Sequence, residues 1–171
     1  IAEGGGGIYL DPDASATFNY VTLTTNLADP TQGSALYSAS HSADLKNTII
    51  EGDCSMPVGY DLNDLGGNLQ SPSQTCFFTG PQTVVPDLEL SEVGDFGGPT
   101  HVHLPKAGSP VVGAGVDCHE VTVDQRGLPR LSDSCDSGAV QRQPTDPDPI
   151  FVDGFESGNL TAWSSFIGGT S

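Results

Sequence analysis

Tyr20-Val21-Thr22-Leu23-Thr24 alternates with a period of two, the pattern of a strand buried on one face. It sits in a longer run, Phe18 to Leu23. Three similar runs of β-branched, aromatic or aliphatic residues lie nearby: Gly7-Ile8-Tyr9-Leu10, Ala35-Leu36-Tyr37 and Leu45 to Ile50. Polar turns separate them, and the runs recur. Ile8-Tyr9-Leu10 returns as Leu36-Tyr37 about 28 residues on; Val21-Thr22-Leu23, ending at Asp29, returns as Leu45 to Ile50, ending at Asp53, about 24 residues on. Several short strands per unit at such a spacing mark a β-solenoid, in which each coil touches only its neighbours. The competing architecture is a β-sandwich with turns at intervals of roughly 8–12 residues.

Working outward, residues 1–53 read as the last coils of the solenoid. Residues 54–140 read as a loop-rich C-terminal cap with the final strands, covering the end of the stack. Its turn residues include Pro57, Gly59, Gly66-Gly67, Pro72, Gly80, Pro81 and Pro86, with Tyr60, Leu62, Phe77, Phe78, Val84, Val85, Leu88 and Leu90 as apolar pegs. Two further strand candidates are Pro110-Val111-Val112 and Glu120-Val121-Thr122-Val123. Residues 141–149 form a Pro/Asp linker, whose prolines favour an extended spacer. Residues 150–171 form a tail with Phe151, Phe155, Trp163 and Phe166, either an anchoring or sorting element or a terminus that is disordered or packed down. The start Ile1-Ala2-Glu3-Gly4, without a leader, suggests a piece cut from a longer protein.

Composition narrows the function classes. Gly and Pro make up about a fifth of the chain, turn-rich but under the roughly 25–30% that suggests disorder. No window keeps apolar residues at helical spacing over three turns. Five basic against 22 acidic residues give a formal charge of −17, which repels phosphate backbones and anionic lipid. Nucleic acid is therefore excluded as a partner, and no apolar stretch reaches the roughly 18 residues of a membrane-spanning helix. Hard oxygen ligands are abundant, so Ca2+ stays compatible, but no other cofactor is indicated.

Cys54, Cys76, Cys118 and Cys135 lack the close pairs of a zinc site. Two disulfides in an oxidising compartment explain the even count. Three pairings are possible; the neighbour pairing, Cys54–Cys76 and Cys118–Cys135, is favoured, because each loop is short of core residues and gains from a staple of about 3 kcal/mol.

Gly97-Gly98-Pro99-Thr100, His103, Gly108-Ser109-Pro110 and Ala114-Gly115 come in a distinctive order. Asp124-Gln125-Arg126-Gly127, Pro129-Arg130 and Cys135-Asp136 with Gly138-Ala139 follow them. Together they resemble the C-terminal signature of the bacterial choice-of-anchor Q proteins, right-handed parallel β-helices of the pectin-lyase-like superfamily. Gly5-Gly6-Gly7-Ile8-Tyr9 looks like a glycine-initiated coil, and Asp53-Cys54 through Gly59-Tyr60-Asp61-Leu62 to Cys76 is similar to the family's extended loop. Four positions depart from the pattern. Gly113 stands where an acidic residue is usual, and Ser137, Val140 and Gln141 stand where the closing strand usually has Ile, Tyr and Glu.

The resemblance implies an all-β fold: a right-handed parallel β-helix whose disulfide-stapled cap precedes an extended tail. It also implies that Arg126 and Arg130 fasten the cap. A lyase reading would instead make one of them the base for β-elimination, with Ca2+ on Asp124, Asp133 and Asp136. His101 and His103 would share a face in a strand and could reach a metal together with Asp95, although no third ligand stands at a persuasive spacing. His41 and His119 read as surface residues. Gly4 to Gly7 and Gly94 to Gly98 are turn glycines without the Lys-Ser/Thr of a phosphate loop. Asp146, Asp148 and Asp153 form a loose Ca2+ candidate without EF-hand spacing. No G-x-S-x-G occurs. The expectation is a monomeric, non-catalytic, secreted or cell-surface bacterial scaffold of adhesin type. It would contact extracellular polysaccharide or the cell envelope. The alternative is the C-terminal part of a polysaccharide lyase or glycoside hydrolase with its active site in upstream coils.

Overall fold

The computed structural model describes residues 6–28, 33–39, 42–59, 61–80 and 83–147. Nine short strands make three coils. The first holds β1 (Ile8–Leu10), β2 (Ser15–Asn19) and β3 (Thr22–Leu23). The second holds β4 (Leu36–Ser38), β5 (Ser42–Lys46) and β6 (Ile49–Glu51). The third holds β7 (Cys54–Ser55), β8 (Asn63–Asp64) and β9 (Leu69–Ser71). Equivalent strands pair in parallel, giving sheets β1-β4-β7, β2-β5-β8 and β3-β6-β9. This is a parallel β-helix, and the sandwich is excluded.

Ile8 lies opposite Leu36 and Tyr9 opposite Tyr37, as the first recurrence requires. The second recurrence runs at a different spacing. Phe18 faces Leu45 and Thr22 faces Ile49, so Leu45 to Ile50 is the end of one strand, a corner and the start of another. The corner explains the misreading. Asn47 has φ +50°, Tyr20 at the same place in the first coil has φ +57°, and Gly67 in the third has φ +68°. These left-handed residues turn the chain between two sheets, where an unbroken apolar run suggests one strand. The ladder also continues past residue 53. Leu36 pairs with Cys54, Asp44 with Asn63 and Ile49 with Leu69, and Val84 adds a further bridge to Gln70. Strands of two or three residues are too short to show alternation; the preceding coil templates them through backbone bonds.

Inside the coils, Leu36, Leu45 and Ile50 are at most 1% exposed and pack with Leu10, Cys54, Cys76 and Phe78. Ile49 and Ile50 point to opposite faces of one strand, yet both are buried. The outer face must therefore be covered. Ile49 packs with Leu69, Leu88 and Val111, so the cap lies along the flank of the β3-β6-β9 sheet as well as beyond its last strand. Of the apolar pegs, Phe78 and Leu88 are buried, whereas Phe77 is exposed.

The cap contains one antiparallel pair, β10 (Leu90–Gly94) with β11 (Val102–Pro105). The two strand candidates downstream are not strands. Residues 110–112 lie in a turn in which the Val112 amide donates to the Ser109 carbonyl, and the Ser109 hydroxyl is committed to the Leu88 carbonyl at 2.6 Å. From the second run only Val123 makes a bridge, to Pro129. Both disulfides take the neighbour pairing, Cys54–Cys76 and Cys118–Cys135.

Candidate functional site

Three consecutive residues tie the cap to all three coils. The Ser137 hydroxyl donates to the Gly67 carbonyl of the third coil at 2.6 Å. The Gly138 amide donates to the Asn47 carbonyl of the second at 2.7 Å. The Ala139 amide donates to the Thr22 hydroxyl of the first at 3.0 Å. The segment thus crosses the strands as a strap over the stacked corners. Gly138 has φ +86°, and a Cβ there would come within 2.7 Å of Ile49 Cδ1, so only glycine passes this close.

The corner residues are gripped individually. Asn47 clamps Val116 through both ends of its amide, accepting from the Val116 N–H at 2.7 Å and donating to its carbonyl at 2.9 Å. Tyr20 lies under the Arg130 guanidinium at 3.9 Å, and its hydroxyl is 3.1 Å from Cys135 Sγ. Cation–π contact of this kind holds a desolvated Arg over a ring face. Burial pushes the Tyr20 hydroxyl pKa up and the Arg130 pKa down.

The arginines that the sequence singled out are buried and bonded within the cap. The Arg126 side chain is wholly buried, with Nε 3.0 Å from Asp124 and its two terminal nitrogens on Asp146 at 2.8 and 3.1 Å. Burial works against its charge, but the bonds to Asp146 and Asp124 outweigh it, and the Arg126 pKa rises. For Asp146, burial is likewise opposed by the Arg126 bonds and the Gln143 amide, and its pKa falls. Asp124 also takes the amides of Arg126, Leu128 and Gln141, closing a turn around Gly127. Arg130 donates to the carbonyls of Asp136, Gly138 and Ala139. Asp136 takes the amides of Gly113 and Arg142, yet burial dominates and raises its pKa. Arg126, held between two carboxylates, is in no position to accept a proton.

The closing segment of the cap is packed and bonded. Gln141 is 1% exposed and accepts from the Asp136 amide, Val140 packs with Val102 and Leu104, and Ser137 anchors the strap. Gly98 packs against the Arg126 backbone, with a Cβ there reaching within 2.6 Å. Gly97 precedes it at φ +87°, and Pro99 is exposed. Thr100 accepts from Gln125 Nε2 at 2.9 Å, and the Pro129 carbonyl accepts from Gln143.

Between the first coil and the cap runs a groove of two hollows that meet at Thr22, Gln125 and Ala139. One, of about 320 Å³, is lined by Thr24, Asn26, His101 and His103 among others. The other, of about 450 Å³, is lined by Asn19, Tyr20, Val121, Val123 and Arg130. The structure therefore brings His101 and His103 to one wall. His103 Nδ1 is 2.8 Å from the Ser91 carbonyl, which fixes Nδ1 as the donor and leaves Nε2 as acceptor in the neutral ring. Asp95 is not with them, being bonded to the Gly97 amide. No group of three or more metal-binding side chains stands together among the described residues. Asp146 of the loose Ca2+ candidate is occupied by Arg126, whereas Asp148 and Asp153 lie outside the described residues. His119 is exposed, and His41 and the tail also lie outside the described residues. Pro110 lines a separate hollow of about 440 Å³ beside Gly67 and Val116.

Sequence reading missed Tyr20, Asn47, Asn19 and Asn26. Asn47 and Gly67, both tolerant of left-handed backbone, were the available signal for the corner; Tyr20, a poor left-handed residue, hid it.

No family model, no curated protein and no solved structure matches the chain. The two disulfides fit an oxidising compartment, and no helix among the described residues is long and apolar enough to cross a membrane. By its own geometry, the chain is a parallel β-helix strapped along one flank by a disulfide-linked cap.

Proposed function

We propose that the chain is the C-terminal part of a secreted or cell-surface bacterial β-helix of the choice-of-anchor Q type. It acts as a monomeric, non-catalytic scaffold of adhesin type that contacts extracellular polysaccharide or the cell envelope. The observation that carries this reading is the strap, Ser137 to Ala139, bonded to each coil in turn. It makes the stack a rigid unit, and the arginines a lyase would need are spent on holding it. The first coil supports a longer stack. Ile8, Phe18 and Leu23 are only half-buried, while their partners Leu36, Leu45 and Ile50 are fully buried. A further coil laid on β1, β2 and β3 would cover them and pair their outer edges.

The test incubates the purified protein with immobilised and soluble polysaccharides, following retention and the ultraviolet absorbance of unsaturated products with Ca2+. Retention without product release is expected. Release of unsaturated sugars from pectin or alginate by this chain would overturn the scaffold reading in favour of a lyase.

A further inference from the structure

We infer that the groove between the first coil and the cap is a binding site for an uncharged glycan, an assignment that rests on the polysaccharide reading above and specifies its ligand. Hollows of about 320 and 450 Å³ fall in the roughly 300–1,000 Å³ range of small-molecule sites. Their lining joins neutral hydrogen-bonding groups, Thr24, Asn26, Gln125 and His103, to apolar surface from Leu23, Val102, Val121 and Val123. Sugar rings present that same mixture of hydroxyl edges and C–H faces.

Two orphaned atoms sharpen the assignment. Among the described residues, Asn19 Oδ1 and Arg130 Nε are the buried side-chain polar atoms without a hydrogen-bond partner, and both residues line the larger hollow. An unpartnered buried polar group costs about 1–3 kcal/mol, so its placement calls for a reason. Once a small side-chain rotation uncovers either atom, a ligand hydroxyl would meet its need, donating to the amide oxygen or accepting from the guanidinium N–H.

Charge selects the class of sugar. The chain carries −17. Arg130, the one Lys or Arg lining the groove among the described residues, faces the Tyr20 ring and three carbonyls, with Asp124 on the same lining. A uronate chain would meet a repulsive field and no free cation; an uncharged chain would not.

The experiment measures binding of xylohexaose, cellohexaose, mannohexaose and hexagalacturonate by calorimetry, with the intact protein and with Asn19→Ala, Asn26→Ala and Gln125→Ala. At least one neutral hexamer should bind at least tenfold more tightly than hexagalacturonate. Each substitution should weaken it by about 3–10-fold, the worth of one hydrogen bond. The thermal midpoint should hold for Asn19→Ala and Gln125→Ala, since Asn19 Oδ1 has no bond to lose and Gln125 loses only its exposed bond to Thr100. Preference for hexagalacturonate, or neutral binding untouched by all three substitutions, would overturn the groove while leaving the scaffold reading standing. Binding to none of the four, joined with no retention on any polysaccharide, would overturn both.

Discussion

The coils and the cap are stabilised by different means. From Ile8 to Ser71 the chain repeats a geometry, each strand bonded to its equivalent one coil away, around an apolar interior of Leu36, Leu45 and Ile50. From Val84 to Gln143 few backbone ladders exist. Bonds from side chains to backbone take their place, centred on Asp124, Arg126, Arg130, Asp136 and Asp146. The contrast teaches that a segment poor in regular structure can still be held in place when its buried charges bond to backbone and to one another. It also implies that the two regions fail differently.

The largest expected effect lies in the cap. Arg126→Met leaves Asp124 and Asp146 without their cation and should destabilise by about 3–5 kcal/mol, read from urea denaturation. A loss under about 1 kcal/mol would show that the cap does not depend on this knot. Next comes the coil interior: Leu45→Ala should cost about 3 kcal/mol, chiefly as a cavity. Hydrogen exchange should separate the two variants, with Arg126→Met exposing amides around 124–142 and Leu45→Ala exposing those of β2, β5 and β8. Identical exchange patterns would erase the distinction between the regions.

The junction should give a smaller effect. Asn47→Gly keeps the left-handed corner but removes the clamp on Val116, for a cost of about 1–3 kcal/mol. Protease cleavage within 113–120 should rise while the coils stay protected; unchanged resistance would mean that the clamp is redundant.

The smallest effect concerns acid. The lowered pKa of Asp146 means that its contribution is present above the ordinary value of 3.8 and is lost as pH falls below it. Asp136, with its pKa raised, acts on the other side: its contribution is full below 3.8 and declines as pH rises through its folded value. Asp146→Asn should therefore flatten the thermal midpoint's fall below pH 3.8 and leave the slope above it intact. An unaltered acid limb would show that Asp146 is not the group responsible.

Legibility in the sequence followed the same division. The coils could be read because Ile8-Tyr9 and Leu36-Tyr37 recur, and parallel pairing places recurring side chains over one another. Where the repeat shortens, from 28 residues between Ile8 and Leu36 to 18 between Leu36 and Cys54, recurrence vanishes and the ladder alone reveals the third coil. The cap has no period to read. Arg126 and Arg130 stood out by the order of motif residues around them, and in the structure both are bonded within the cap. The groove was beyond reach, since Asn19, Asn26 and Gln125 come together only after the cap folds back over the first coil.

Nuclear Overhauser contacts between backbone protons of residues 8–71 test the stacked architecture most directly. Ile8 should contact Leu36, Phe18 should contact Leu45 and Thr22 should contact Ile49, with Leu36 to Cys54 and Ile49 to Leu69 completing a parallel ladder. Close pairs of the antiparallel kind within these residues, or absence of the contacts from the first coil to the second, would contradict it.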